Sequence, residues 1–332
     1  MYRTAGITIV TVLLFAVLLA SGCAPQAEQP KQAELPTGPQ AEVATFITLT
    51  EGPTVDGEGN VYFTDIPGNT IWKYATDGTT SIFRQPSNRA NGMIFDLEGR
   101  LVVVEGSDAE IDQPRITRTN MATGESEVIA ESFEGKRFNQ PNDVTIDSQG
   151  RLYFSDRPLA NPKPDQTGIN AVYRLDPDGT IARILAEPDI ERPNGLVISP
   201  DDKTFYLVEA HPDEGHARMI RAYDLQPDGT LANVRIFHDF YPGRSADGIA
   251  IDTEGNLYAA AGLNRTRGTS ETLDTRCGVY VFSPDGALKQ FTPIAEDLLT
   301  NIAFGGPDMR TVYVTAGKTL FTFRADIPGT RR

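Results

Sequence analysis

Short apolar segments alternate with polar turns along the chain from residue 42 onward. The runs are brief and are bounded by Gly, Asp and Asn, which is typical of β-strands. One unit recurs six times: a polar residue, a short apolar run, a turn and a second apolar strand. The units begin at Glu51, Asn91, Asn142, Asn194, Asp247 and Asn301, so successive starts are 40, 51, 52, 53 and 54 residues apart. This period, combined with short strands, predicts a β-propeller.

A second series of turns lies between these units, with Pro-Asp-Gly at residues 177–179, 227–229 and 284–286. Each such turn indicates a tight hairpin, so each unit is expected to contain four strands. Residues 45–49 are expected to pair beside residues 319–324, which would close the ring without an exposed edge. We therefore predict an all-β fold, a six-bladed β-propeller with four-stranded blades over residues 42–332, closed by an N-terminal strand.

The first 41 residues do not follow this pattern. A 14-residue apolar run over residues 7–20 is followed by Ser-Gly-Cys at 21–23. The run is too short to cross a hydrocarbon core of about 30 Å, so residues 1–23 are predicted to be a signal peptide. Its end resembles a bacterial lipobox, which implies lipidation of Cys23; ordinary cleavage that leaves a free thiol is the alternative. Residues 24–41, with four Pro and four Gln, predict a flexible tether.

These features predict an exported protein of the cell envelope, held to the membrane only by a lipid anchor. The chain has 45 acidic and 30 basic residues, a net charge of −15 that disfavours nucleic acid as a partner. Its two cysteines are too few for a disulfide framework or a thiolate metal cluster. The sequence contains no Gly-x-Ser-x-Gly motif, phosphate loop or dinucleotide fingerprint, which argues against a serine hydrolase and against ATP or nicotinamide. We expect a monomer.

Six polar residues occupy the same position in the six repeats, namely Glu51, Asn91, Asn142, Asn194, Asp247 and Asn301. The inner strands of a propeller start at one end of the central channel, so these side chains, hereafter the ring residues, should converge there. Two carboxylates match the charge of one divalent cation, and amide oxygens add ligands without charge. Because thiolates and imidazoles are missing from this set, calcium is the expected ion, with Mg²⁺, Mn²⁺ or Zn²⁺ able to replace it. Asn and Asp before Gly also suit turns, but a turn alone does not explain Glu51.

Residues 46–323 resemble the family of regucalcin (senescence marker protein), bacterial gluconolactonase and related lactonases. The stretches that carry the resemblance are Glu-Gly-Pro at 51–53, Arg-Ala-Asn-Gly at 89–92, residues 133–143, Pro-Asn-Gly-Leu at 193–196, Ala-Asp-Gly at 246–248 and residues 300–315. The resemblance implies that the cation is held by Glu51, Asn142, Asn194 and Asp247. It also implies a metal-dependent hydrolase that opens a small-molecule lactone or ester.

Further roles follow for individual residues. Asp247 is the expected general base, because a carboxylate with one free oxygen can accept a proton from water. Asn91 and Asn301, the other ring residues, are predicted to contact the substrate. Arg137, in a Gly-Lys-Arg-Phe-Asn stretch like that of the family, is the third predicted substrate contact. One departure is Gly106, which stands where gluconolactonase-like members often carry His.

Two other functions are compatible with the same residues. In the first, the ion only rigidifies a propeller that acts as a binding or scaffold module at the envelope, since one fold hosts many functions. Alternatively, the site is that of a phosphotriesterase like the squid-type diisopropyl fluorophosphatase, which shares this four-ligand arrangement. A pair of carboxylates that faces an open channel favours a hydrolase over a scaffold.

Overall fold

The computed structural model describes residues 35–47, 49–107 and 111–331. Their regular secondary structure consists of strands, which are β1 (Glu42–Phe46), β2 (Thr50–Val55), β3 (Val61–Asp65), β4 (Thr70–Tyr74), β5 (Thr80–Arg84), β6 (Ala90–Phe95), β7 (Leu101–Ser107), β8 (Asp112–Thr119), β9 (Ser126–Ala130), β10 (Ser132–Phe133), β11 (Lys136–Arg137), β12 (Pro141–Ile146), β13 (Leu152–Asp156), β14 (Ala171–Leu175), β15 (Ile181–Ala186), β16 (Pro193–Ile198), β17 (Thr204–Ala210), β18 (Arg218–Leu225), β19 (Leu231–Asp239), β20 (Ala246–Ile251), β21 (Leu257–Ala261), β22 (Gly278–Phe282), β23 (Leu288–Pro293), β24 (Leu299–Gly305), β25 (Thr311–Ala316) and β26 (Thr319–Arg324). Within these ranges the structure has no helix long and apolar enough to cross a membrane.

The strands form six four-stranded antiparallel sheets and one small hairpin, β10–β11. Blades one to five are β2–β5, β6–β9, β12–β15, β16–β19 and β20–β23, and blade six consists of β24, β25, β26 and β1. Their innermost strands, β2, β6, β12, β16, β20 and β24, contact one another in that order, and β24 contacts β2. This closed ring confirms the predicted six-bladed propeller.

Closure occurs in blade six, as predicted. Strand β1 pairs antiparallel with β26, with Glu42 opposite Thr322 and Val43 opposite Phe321. The strand lies a few residues earlier than the predicted 45–49. Because β1 supplies the outermost strand of a blade whose other three strands come from the C-terminus, the two ends of the domain are held together and the ring has no open seam.

Burial decreases from the inner to the outer strand of each blade. All five residues of β3 are buried, whereas most of β19 is exposed. Apolar side chains pack in clusters between neighbouring blades; in one of them Phe138 packs edge-on against Phe154, with ring centroids 5.1 Å apart. Full burial of each such ring contributes about 1.5–3 kcal/mol. Each inner strand is therefore held in place by apolar packing between its blade and the neighbouring blades. Such packing suits a site that must keep several side chains in fixed positions.

Residues 35–41 correct the predicted extent of the tether. The backbone N–H of Phe291 donates to the carbonyl of Pro36, and the N–H of Gly38 donates back to the carbonyl of Phe291, both at 2.8 Å. Leu35 also packs against the apolar cluster between blades four and five. This stretch is therefore part of the domain surface along β23. Cys23, the signal peptide and the rest of the predicted tether lie outside the described residues.

The C-terminal residues cover the channel end at which the inner strands finish. The N–H of Thr330 donates to the carbonyl of Ile251 at 3.2 Å, and the N–H of Gly329 donates to the carbonyl of Met309 at 2.7 Å. Ile251 is the last residue of β20, so this segment lies at the far end of the channel from the ring residues. A ligand that reaches the ring residues must therefore approach from the end where the inner strands begin.

Candidate active site at the start of the inner strands

The ring residues lie where the pairing of the inner strands is interrupted. In blades two to five, the register between the inner strand and its neighbour shifts across a two-residue irregularity that contains Asn91, Asn142, Asn194 or Asp247. In blade one the shift directly follows Glu51. Side chains along a regular strand alternate between the two faces of the sheet, and a β-bulge interrupts this alternation and changes the direction of the side chains. The repeated bulge is the local reason why these residues face the channel.

Glycines next to the ring residues allow the inner strands to approach closely. A Cβ atom on Gly52 would lie 2.0 Å from the carbonyl oxygen of Asn91, and one on Gly195 would lie 2.4 Å from that of Asp247. Both distances are too short for any side chain, so only glycine fits at these positions. The ring residues of neighbouring blades are thereby brought close together at one level of the channel.

A hydrogen bond across the channel forms a floor beneath this level. The Asn301 amide donates to Asp143 Oδ2 at 3.2 Å, and these residues belong to opposite blades, six and three. Asn301 Oδ1 also accepts the N–H of Ile302 at 2.8 Å. Below the floor, a cavity of about 160 Å³ is lined by later residues of the inner strands and by Thr330 and Arg331. These bonds use the oxygen and one of the two N–H groups of the Asn301 amide, and the substrate contact by Asn301 stays a prediction.

Other ring residues carry oxygen atoms that no protein group uses. Within the described part of the chain, the side chains of Asn91, Asn142 and Asn194 form no hydrogen bond, and Glu51 Oε2 accepts only the N–H of Gly52, at 3.1 Å. No cluster of three His, Cys, Asp or Glu residues suited to a metal ion occurs among the described residues. A four-ligand set is reached only when amide oxygens are counted. Two carboxylates and two free amides match the hard oxygen ligands that calcium takes, so these residues fit a divalent cation.

Three carboxylates are crowded at this level of the channel. Burial raises the pKa of Glu51 well above its usual range, and the charges of Asp247 and Asp143 raise it further, against the N–H of Gly52 and the charge of Arg157. Burial likewise raises the pKa of Asp143 to about 7, although Val144 and Asn301 donate hydrogen bonds to its carboxylate. Buried like charges of this kind repel one another unless a proton or a cation is present.

This crowding predicts how the stability of chelator-treated protein depends on pH. The pKa of Asp143 is about 7 in the folded chain, against about 3.9 for an unperturbed Asp. The protonated carboxyl group therefore contributes fully to the free energy of unfolding below about pH 4, and this contribution is lost as the pH rises through about 7. The loss is at most about 4 kcal/mol. Thermal unfolding with EDTA should show a lower Tm at pH 8 than at pH 5, and Asp143→Asn should reduce the difference. A Tm that rises with pH to the same extent in both proteins would contradict this result.

Asp247 differs from the other carboxylates because it is paired. Arg244 Nη2 donates to Asp247 Oδ2 at 2.7 Å, and Arg244 Nη1 donates to the carbonyl of Leu299 at 3.0 Å. Asp247 Oδ1 forms no hydrogen bond with any described residue. The arginine, fixed by the neighbouring blade, therefore sets the orientation of the carboxylate and leaves one oxygen free.

Carboxylates at the ends of second strands position the loops that lead to the ring. Asp156, the last residue of β13, accepts the N–H groups of Asn139 and Gln140 at 2.7–3.1 Å, just before Asn142. Glu209, on β17, accepts the N–H of Arg192 at 2.8 Å, just before Asn194. The sequence analysis did not single out these residues, although an acidic residue lies at or near the end of the second strand in four repeats, namely Asp65, Glu105, Asp156 and Glu209. That regularity could have identified them.

The side chains of Arg137 and Glu105 form hydrogen bonds with residues that do not belong to the ring. Arg137 Nε donates to Asp165 Oδ2 at 2.8 Å, and its Nη2 donates to Asp112 Oδ2 at 3.1 Å. Two carboxylates hold this guanidinium, and the substrate contact by Arg137 stays a prediction. Glu105 accepts hydrogen bonds from Arg84, Arg115 and Thr117 at 2.7–2.8 Å. The residue before Gly106 therefore has a structural role here.

Comparison with known proteins agrees with the fold. Residues 49–318 match the family model described as SMP-30/Gluconolactonase/LRE-like region. The chain is 29% identical to a gluconolactonase of Zymomonas mobilis, over 85% of this chain and 80% of that protein, and 26% identical to the pentonolactonase XacC of Haloferax volcanii, over 82% and 83%. A solved gluconolactonase of Xanthomonas campestris superposes with a TM-score of 0.72 at 26% identity, covering 87% of this chain and 89% of that one. The family model covers most of the chain and the resemblance seen in the sequence is confirmed: the chain belongs to the SMP-30/gluconolactonase/LRE-like family.

Proposed function

We propose that this protein is a divalent-metal-dependent lactone hydrolase whose site lies at the channel end where the inner strands begin. The observation that carries the proposal is the set of unbonded oxygens on Glu51, Asn142 and Asn194 beside Asp247, which has one oxygen free. The names of relatives that cover most of this chain, a gluconolactonase and a pentonolactonase, support lactones as the substrate class.

Glu51, Asn142, Asn194 and Asp247 would hold the cation, with calcium as the expected ion and Mg²⁺, Mn²⁺ or Zn²⁺ as possible replacements. When bound, such an ion polarises an ester carbonyl and stabilises the negative charge that develops on its oxygen. Two amide ligands keep the charge of the set at −2, which one divalent ion neutralises. Room for a substrate follows from a protein ligand set of only four, since calcium takes six to eight oxygens.

Asp247 supplies the base. Because Arg244 occupies Oδ2, Oδ1 would both face the cation and accept a proton from a water molecule while the water oxygen forms a bond to the lactone carbonyl carbon. The ring C–O bond then breaks, and the ring oxygen takes up the proton to become the hydroxyl group of the open hydroxy acid. Arg244 holds the other carboxylate oxygen throughout, so the base does not rotate away from the water. Asn91, whose amide forms no hydrogen bond with a described residue, would contact a substrate hydroxyl.

A substrate panel tests this function against the phosphotriesterase and the binding module. The purified protein is assayed with aldonolactones, aliphatic lactones, aryl esters and phosphotriesters, with and without EDTA, and acid release is corrected for spontaneous hydrolysis. We expect the highest kcat/KM for an aldonolactone and its loss with chelator. Faster turnover of a phosphotriester would favour that activity instead. No turnover of any substrate by metal-replete protein would favour the binding module.

A further inference from the structure

Arginines gather at the channel end that carries the ring residues, although the chain as a whole has a net charge of −15. Arg157 directly follows β13, Arg192 directly precedes β16, and Arg244 lies three residues before Asp247. These positions are equivalent ends of strands, since the second strand of a blade finishes where the inner strand begins. Three guanidinium groups from three consecutive blades therefore border the same opening.

Two of these arginines have no partner. Arg244 is paired with Asp247. The side chains of Arg157 and Arg192 form no hydrogen bond or ion pair with any residue that the structure describes, and both are half-buried. Withdrawing a guanidinium from water without pairing it is unfavourable. Most partly buried arginines of this chain avoid that penalty; Arg84 and Arg221, for example, pair with the buried carboxylates Glu105 and Glu209.

The electrostatics place Arg157 among these groups. Burial lowers the pKa of Arg157, and the charges of Arg192 and Arg244 lower it further, whereas Asp247 and Glu51 oppose the decrease. Arg157 therefore lies close to both the ring carboxylates and the other arginines. A fourth arginine, Arg267, is exposed and has acidic neighbours, so it adds little to this set.

The charges around the opening do not balance. Among the residues that the structure describes here, Asp247 is paired with Arg244, whereas Arg157 and Arg192 have no carboxylate within ion-pair distance. A bound anion would supply the missing partner.

We propose that the lactone bound here carries an anionic substituent, a carboxylate, sulfonate or phosphate remote from the ester, and that Arg157 and Arg192 bind it. The planar fork of a guanidinium suits such groups, because it can donate two parallel hydrogen bonds to them. The inference rests on the proposed lactone hydrolysis and specifies its substrate class. The ester would lie over the ring residues, and the anion would point toward blades three and four.

A matched pair of substrates tests this inference. D-Glucaro-1,4-lactone differs from D-glucono-1,4-lactone only in a carboxylate in place of the C6 hydroxymethyl group. A second pair, 6-phosphoglucono-1,5-lactone and D-glucono-1,5-lactone, tests a phosphate in the same way. We expect kcat/KM to be at least tenfold higher for the anionic member of a pair than for the neutral member. The pair with the larger ratio shows whether the site prefers a carboxylate or a phosphate. In Arg157→Gln and in Arg192→Gln that ratio should fall about tenfold, mainly through KM, and Arg157→Lys should retain part of it. Arg235→Gln is the control. Arg235 lies on the outer strand β19 and pairs with Asp224, so this variant should leave the ratio unchanged.

Two outcomes would overturn the inference: a ratio near one in the unmodified protein for both pairs, or an unchanged ratio in both Arg157→Gln and Arg192→Gln. Failure of the proposed function has a different signature, namely no turnover of either member of a pair. In that case calorimetry with the open-chain acids decides the question, because two unpaired arginines should bind D-glucarate at least fivefold more tightly than D-gluconate. Equal binding of the two acids would then reject the anion site as well.

Discussion

Asp247→Asn is expected to reduce kcat for an aldonolactone by about 10²- to 10⁴-fold, the range of a general base. The amide keeps the shape of the side chain and an oxygen for the cation, but it cannot accept the proton of the attacking water. The single oxygen of the amide cannot replace both carboxylate oxygens, one of which accepts from Arg244 in the unmodified protein, so the cation content of the variant must be measured as well. The measurement is kcat at saturating lactone, together with elemental analysis of the same sample.

The control for this variant is Asp228→Asn. Asp228 lies in the exposed turn between β18 and β19, where its carboxylate accepts hydrogen bonds from Thr230, far from the ring. We expect that variant to keep the kcat of the unmodified protein. If Asp247→Asn retained both its cation and full activity, Asp247 could not be the base.

Glu51→Ala is expected to abolish tight binding of the cation and, with it, lactone turnover. The substitution removes one of two carboxylates from a four-ligand set, and the remaining charge no longer matches a divalent ion. Elemental analysis after dialysis should find about one ion per chain in the unmodified protein and almost none in the variant. Glu58→Ala, in the exposed turn before β3, is the matched control and should keep the ion.

The same variant carries its own test of folding. Because burial and neighbouring carboxylates raise the pKa of Glu51, its ionised form is unfavourable in the metal-free protein. Removing it should therefore raise the Tm of chelator-treated protein at pH 8. An unfolded variant would fail this test, whereas a folded variant that retained a full complement of the ion would exclude Glu51 from the ligand set.

The propeller could be predicted because its signal is a repeat. Six ring residues in phase, each followed by a short strand, define the blades without any knowledge of their packing. The same phase assigned all six ring residues to one end of the channel, since equivalent positions of a propeller meet there, and the family resemblance implied Glu51, Asn142, Asn194 and Asp247 as the ligands among them. Residues far apart in the chain, such as Glu51 and Asp247, were thus assigned to one site.

Contacts between different blades could not be predicted in this way. The hydrogen bond between Asn301 and Asp143 joins residues 158 positions apart, and no sequence pattern near either residue predicts it. Arg137 ends the short strand β11 and Arg157 directly follows β13, yet of these two only Arg137 is held by carboxylates of the described residues. Residues 35–41 lack an apolar pattern because they are attached to β23 largely by backbone hydrogen bonds, which any sequence without a conflicting proline can form.

A calcium titration of chelator-treated protein, with binding followed by calorimetry and hydrolysis of an aldonolactone assayed at each addition, tests the central claim most directly. If Glu51, Asn142, Asn194 and Asp247 hold one catalytic ion, binding should saturate at one ion per chain and activity should rise in proportion to occupancy from almost none. Full lactone turnover before any calcium is added, or saturation of the site without any turnover, would contradict it.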